Sequence, residues 1–432
     1  MSTSSDQGRA GVEERLTASF LRLQQLAYDG RFDLARDLAD ELADDLAAVP
    51  DRGRLADALP IALVEIGIVL LLAGDLDAAI GRFRSAARWS RINGHPAGPY
   101  AEQFIELVRA LRGGPAPAME PAVSPAPLRG APGQRVWAWT LLPHLLRALD
   151  QLHRGDLDGV DASLESIGFA SPTTETSPLG GLWWLPLHVH ARLALARGDQ
   201  ETMLPALRNA TQDWYPQLGS DSYAGSLLRA DHADLLQAAG GYEEAAAILD
   251  DGAHGVQIPQ LSASRARLLW LASENGELDR FLTQIGPLHL LNSAELDVIR
   301  LVRRFETRAQ QVASADDLRI WTSLRDRAGA IELSLMPDDV RSALAGPADH
   351  DIAGRRTVPN PYVRTHVVRL SPRERELVLE LQAEDTIPML AARLFLSPST
   401  VKTHLRGIYR KAGVHSKEEL FHAREDLLRR GR

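Results

Sequence analysis

The sequence predicts an all-α protein: a long α-solenoid of helix-turn-helix repeats followed by a small four-helix domain. Three observations carry this. A glycine followed by an acidic or polar residue recurs about every 40 residues, a proline-bearing stretch breaks the pattern over 346–362, and helix-start signals crowd the region beyond it. The resulting boundaries are a repeat domain over 1–345, a linker over 346–362 and a second domain over 363–432.

The punctuation reads Gly30-Arg31-Phe32-Asp33, Gly74-Asp75-Leu76-Asp77, Gly155-Asp156-Leu157-Asp158, Gly198-Asp199-Gln200-Glu201, Gly241-Tyr242-Glu243-Glu244 and Gly276-Glu277-Leu278-Asp279. With Gly114 of the Gly113-Gly114 pair filling the gap, successive glycines stand 44, 40, 41, 43, 43 and 35 residues apart. Glycine ends a helix in the left-handed conformation without a Cβ penalty, and the acid after the turn favours the positive end of the next helix. The helices that follow carry apolar faces at i, i+3, i+4 and i+7: Leu76, Ala79, Ile80 and Phe83 in one, Tyr242, Ala245, Ala246 and Leu249 in another. The pattern resembles tetratricopeptide-type repeats, with a period longer than their roughly 34 residues. Residues 113–134 hold six prolines and read as a non-helical connection between repeats.

Composition excludes several chemistries. The 432 residues are 45% apolar and 24% charged, a core-forming balance, and contain no cysteine, so disulfides, Cys-ligated metals and thiol nucleophiles are absent. Of the 48 basic residues only three are lysines, Lys402, Lys411 and Lys417. A phosphate-binding P-loop, a protein kinase and Schiff-base chemistry all need a lysine that residues 1–401 do not supply. No HExxH or G-x-S-x-G motif occurs either, and His188 and His190 stand two apart, pointing to different sides of a helix. The expectation is a non-enzyme with no metal and no cofactor. The N-terminus lacks a basic-then-apolar leader. The most apolar stretch, Leu59 to Ala73, is interrupted by Glu65 and shorter than the ~20 residues that a bilayer requires. It is expected to be a buried helix of a cytoplasmic protein with no membrane partner.

Charge is divided unevenly. Residues 363–432 carry 14 Lys+Arg against 9 Asp+Glu, while the rest of the chain carries 34 against 48. That asymmetry hints at a nucleic-acid partner for the C-terminal part. There, Ser371-Pro372-Arg373-Glu374 is a capping box with proline at the first helical position, Thr386 caps a second helix, Ser397-Pro398 a third, and Ser416-Lys417-Glu418-Glu419 a fourth. The second and third helices are joined only by Phe395-Leu396-Ser397, the short joint of a helix-turn-helix. Along the third, Val401, Leu405, Ile408 and Ala412 form the inward face, and Ser399, Lys402, Thr403, Arg406 and Arg410 the outward one. From Ser397 to Val414 there is no carboxylate, whereas an ordinary solvated helix mixes signs.

The segments Leu370 to Glu376, Ala391 to His404 and Ile408 to Ser416 resemble the LuxR/GerE-type DNA-binding domain over about residues 368–428. The resemblance implies that the third helix enters the major groove of double-stranded DNA. Lys402, Thr403 and Arg406 are then base readers, Thr400, His404 and Lys411 phosphate or backbone contacts, and Arg410 lies on the same DNA-facing surface. It also implies a homodimer through Leu420, Phe421, Leu427 and Leu428 of the fourth helix. Three positions depart from the family pattern: Glu384-Asp385 stands where a glycine is usual, Met389 where a glutamate is, and Glu380 where an apolar residue is. A helical-repeat sensor ahead of such a domain is similar to the layout of the large MalT-like regulators, without their lysine-dependent ATPase domain.

The expected function is sequence-specific regulation of transcription, with the repeat domain sensing a small-molecule or protein effector. Trp183, Trp184 and Trp214 are candidate lining residues for an effector pocket. A helical-repeat adaptor carrying a silent or protein-binding helix-turn-helix is the alternative.

Overall fold

The structure is a computed structural model. It describes residues 18–23, 25–26, 31–48, 59–113, 133–168, 182, 184–218, 222–251, 256–285, 293–307, 313–344, 356–362, 372–382, 385–412 and 416–430. Side chains are described for all of these except 47–48, 133–140, 210–211, 213–218, 326, 372, 410–412, 423 and 425–430. Among the described residues there are helices and turns and no strand.

The N-terminal array runs α1 (Phe32–Ala48), α2 (Leu59–Leu72), α3 (Leu76–Asn93), α4 (Gly98–Leu111), α5 (Gly133–Arg154), α6 (Leu157–Glu165), α7 (Trp184–Arg197) and α8 (Gln200–Leu218). It continues with α9 (Tyr223–Ala238), α10 (Tyr242–Asp251), α11 (Pro259–Leu271), α12 (Asn275–Ile285), α13 (Ala294–Glu306), α14 (Ala315–Arg327), α15 (Ala330–Ser334) and α16 (Asp338–Leu344). Most sequential neighbours pack on one another, and alternate helices stack as an inner row, α5 on α7, α7 on α9, α9 on α11 and α11 on α13. This is a helical repeat array, as the spacing predicts. The short α15 then returns to pack on α5, so the inner row curls around a central space.

The turns follow glycine chemistry with local shifts of register. Gly74, Gly155 and Gly198 take positive φ, as the punctuation requires. At another turn Gly113 takes positive φ, and at a further one the left-handed residue is Gly240 rather than Gly241. At the last, Gly276 lies inside α12 and Ser273 takes the left-handed turn, φ 57. Asp75 caps α3 by accepting from the N–H of Ala78 at 3.0 Å. Gly30 and 114–132, most of the proline-bearing segment, lie outside the described residues, whereas Gly133 and Gln134, expected to be non-helical, already belong to α5.

The predicted faces are buried: Ala79, Ile80 and Phe83 on α3, Tyr242, Ala245 and Leu249 on α10. The apolar α2 is a buried helix of the array, and no helix among the described residues is long and apolar enough to cross a membrane. Phe83 stacks on Phe104 with ring centroids 5.0 Å apart, seated over Gly67 of α2.

Residues 356–362, the end of the proline-bearing stretch, pack back onto the array. The N–H of Arg356 donates to the carbonyl of Arg154 at 2.7 Å, Val358 packs with Ala196, Ala330 and Ile331, and Tyr362 is buried in the main core. The four remaining helices, α17 (Pro372–Glu380), α18 (Ile387–Arg393), α19 (Pro398–Ala412) and α20 (Lys417–Arg430), enclose a second core that shares no residue with the first.

Candidate nucleic-acid interface

Small polar side chains start three of the four C-terminal helices. Thr386 accepts from the N–H of Met389 at 3.4 Å, Ser397 from that of Thr400 at 3.1 Å and Ser416 from that of Glu419 at 3.1 Å. Ser371 lies outside the described residues. Leu377, Val378 and Leu381 from α17 meet Leu390 and Ala391 from α18, Val401, Leu405 and Ile408 from α19 and Leu420 from α20. α19 is thereby held against α18 across the turn Leu394–Ser397, while α17 and α20 brace it from behind.

An acid in the loop before α18 locks this arrangement. Asp385 accepts from the N–H of Gln382 at 2.9 Å and from Arg393 Nη1 at 3.1 Å, with Arg393 Nη2 on its other oxygen. Burial by itself would raise the Asp385 carboxyl, but the Arg393 hydrogen bond, the Gln382 N–H and the charges of Arg393 and Lys417 outweigh it and hold it below its usual range. Part of the Glu384-Asp385 departure therefore supplies a structural ion pair. Its sequence signal was an acid placed just before the capping Thr386, with an arginine one helix later.

α19 separates its sides sharply. Val401 and Ile408 are fully buried and Leu405 nearly so, whereas Lys402, Thr403 and Arg406 are exposed and Thr400 and His404 are partly exposed. Thr403 donates its hydroxyl to the carbonyl of Ser399 at 3.0 Å, and Thr400 shares a hydrogen bond with Ser397. The side chains of Arg410, Lys411 and Ala412 lie outside the described residues.

The cations of the domain divide by what they touch. Arg373 donates to the carbonyl of Leu394, Arg393 to that of Glu380, Arg424 to that of Leu381 and Lys417 to that of Asp385. All four satisfy carbonyls at helix ends and loops of the domain itself. Arg375 pairs with Glu243 on α10. Lys402 and Arg406 have no hydrogen-bond or ion-pair partner among the described residues, and they lie four positions apart on the outer face of the helix after the turn.

The family model of the bacterial regulatory proteins of the luxR family matches residues 368–423. Those residues form a luxR-family DNA-binding domain. The match takes in α17, α18 and α19 and the start of α20, with the unpartnered pair on α19. The chain is also similar to the probable transcriptional regulatory protein NarL of Mycobacterium tuberculosis, in strains CDC 1551 / Oshkosh and ATCC 25618 / H37Rv, at 49% identity over 45 residues. That similarity covers 10% of this chain and 21% of the relatives, so about a fifth of their length is represented. No solved structure matches the chain.

In the luxR-type domain one expected dimer residue needs correction. Leu420 is fully buried in the domain's own core, where it closes α20 onto α17 and α19, so it is not available on a surface. Phe421 is half-buried at the edge of that core, and the side chains of Leu427 and Leu428 lie outside the described residues. Of the tryptophans, Trp184 is wholly buried in the array core, while Trp183 and the Trp214 side chain lie outside the described residues.

Proposed function

We propose that the protein is a transcription regulator whose luxR-type domain reads an operator in double-stranded DNA as a homodimer, and whose helical array senses an effector. The observation that carries the reading is the free pair Lys402 and Arg406 on a helix face without a carboxylate, in a domain whose other described cations are engaged. An exposed, uncompensated cation pair is what phosphate oxygens and guanine edges attract. Lys402, Thr403 and Arg406 are the base readers in this reading. Thr400, His404, Arg410 and Lys411 hold the backbone, and Phe421, Leu427 and Leu428 join the two copies. Two half-sites one helical turn or a multiple of it apart follow from a two-fold dimer.

The test is selection of bound sequences from a random duplex pool with the full chain, followed by titration of the selected site. Lys402→Ala and Arg406→Ala should each cost ~1–3 kcal/mol on that site and relax the preference at the bases they read. Variants that bind the selected duplex as wild type does would overturn the assignment. A chain that selects nothing and shows no salt-dependent binding would overturn the regulator reading itself.

A further inference from the structure

The inner row of helices encloses a cavity of about 150 Å³. Beside apolar residues such as Leu149, Leu152 and Ile331, its wall carries ionisable groups: His188, Arg192, Asp231, Asp234, Glu295 and Glu332 all reach it. Asp234, Glu295 and Glu332 each face an arginine, and Asp231 faces a histidine. His188 Nδ1 lies 2.7 Å from Asp231, and Arg192 donates to Asp234 at 3.2 Å and to Glu332 at 2.8 Å. Arg267, fully buried behind the wall, donates to both Asp234 and Glu295. Burial works against the charge of Arg192, yet Glu332 and Asp234 outweigh it and hold its pKa above the ordinary value. Taking so many ions out of water is costly, and stacking helices does not require it, since the buried residues of the array are largely leucine and alanine.

Such a wall selects a chemistry. A ligand with net charge would leave an uncompensated ion in a low-dielectric space, and an apolar one would strip the wall of water without replacing its hydrogen bonds. A molecule with a positive and a negative end meets both signs of the wall. Gln260 adds an acceptor: its Nε2 donates to the carbonyl of Leu111 at 2.7 Å, and its Oε1 is buried with no hydrogen-bond partner among the described residues. The volume is below the roughly 300–1,000 Å³ of sites for drug-sized molecules, which points to something smaller.

The same ions hold residues 356–362. The Tyr362 ring lies 4.1 Å from the Arg267 guanidinium, and the guanidinium is fixed by Asp234 and Glu295 of the cavity wall. Gly155, φ +73, makes room for the approach, because a Cβ there would fall on the carbonyl of Arg356. With Tyr362 docked, nine residues, 363–371, join the array to α17; with it released, the connection from Leu344 to Pro372 is 27 residues. A threefold longer connection lowers the effective concentration of anything that the two modules do together.

We propose that this cavity is the effector site of the array, that it takes a compact zwitterion of the amino-acid type, and that Tyr362 reports its occupancy. The ligand ammonium competes for Asp234 and Glu295, loosens Arg267 and releases 356–362. The inference rests on the sensing role proposed above. It is tested by calorimetric titration of the full chain, without DNA, with each standard L-amino acid and with glucose. At least one amino acid should bind. Ala230→Leu, which fills the cavity without removing an ion, should weaken it at least about tenfold while helical circular dichroism is unchanged. Tyr362→Ala should tighten it about fivefold by the reciprocity of coupled sites, and Tyr362→Phe, which keeps the stacked ring, should leave it as in wild type. No binding by any amino acid, or binding by glucose alone, would overturn the ligand class. Unchanged affinity in Ala230→Leu would overturn the site, and unchanged affinity in Tyr362→Ala the coupling. Because no DNA is present, these outcomes are independent of the operator test of Lys402 and Arg406.

Discussion

Lys417 donates its ammonium to the backbone carbonyl of Asp385 at 2.8 Å, tying the first residue of α20 to the loop before α18. It is one of only three lysines in the chain, all within the luxR-type domain, and another, Lys402 on α19, has no hydrogen-bond or ion-pair partner among the described residues. Two identical side chains therefore do different work. Lys417→Ala should lower the stability of the domain by about 1.5–3 kcal/mol, the value of a hydrogen bond made by a charged group. Its effect on salt-dependent DNA affinity should be small beside that of Lys402→Ala. Urea denaturation and a salt titration of duplex binding, run on both variants, separate the two roles.

Asp385 makes the domain acid-sensitive in a defined direction. Its carboxyl titrates below the usual value when folded, so it contributes stability above the unfolded value near 3.8, and that contribution is lost as the pH falls through the lower folded value. Asp385→Asn should cost about 2–3 kcal/mol at neutral pH, less than for a fully enclosed pair because Arg393 keeps some exposure. It should also flatten the acid limb of the stability curve. A variant whose urea midpoint still falls with the wild-type slope below pH 4 would contradict this.

Phe395, in the turn between α18 and α19, combines positive φ with 97% exposure. An aromatic residue in the left-handed region is strained, and this one regains nothing from burial. Phe395→Asn should stabilise the domain by about 0.5–1 kcal/mol, since asparagine tolerates that conformation. A lower melting temperature in the variant would show that the ring is needed in the fold.

Gly67 in α2 presents the opposite case. Alanine is intrinsically the better helix former by roughly 1 kcal/mol. A Cβ at this position, however, would come 2.7 Å from Cδ1 and 2.8 Å from Cζ of Phe83, and that ring is clamped by its stack on Phe104. Overpacking should win, with Gly67→Ala destabilising the array by about 1–3 kcal/mol. Thermal unfolding decides the sign.

What could be read in advance follows from range. The helix starts at Thr386, Ser397 and Ser416 and the split faces of α3, α10 and α19 depend on neighbours three or four residues away, and they were legible. The turn glycines were legible to within a residue: which of Gly240 and Gly241 turns left-handed depends on how α9 ends, and at the last turn Ser273 replaces glycine altogether. The burial of Leu420 was not legible, because the fourth helix's apolar side could face its own domain or a second copy. Nor was the cavity. Arg192 and Glu332 meet across 140 positions, and each looks in sequence like an ordinary surface charge. The same holds for the cations of the luxR-type domain, where residue type is common to all and only folding decides which are left without a partner.

The burial of Tyr362 has a genetic corollary. A recombination event that moved the luxR-type domain to another helical array, cutting after Leu344, would carry away the side chain that covers Arg267 and leave the donor array with an open ionic face. A crossover within 363–371 transfers α17 to α20 whole and leaves the array its own cover, so the viable seam for exchange lies on the far side of the linker, next to the luxR-type domain.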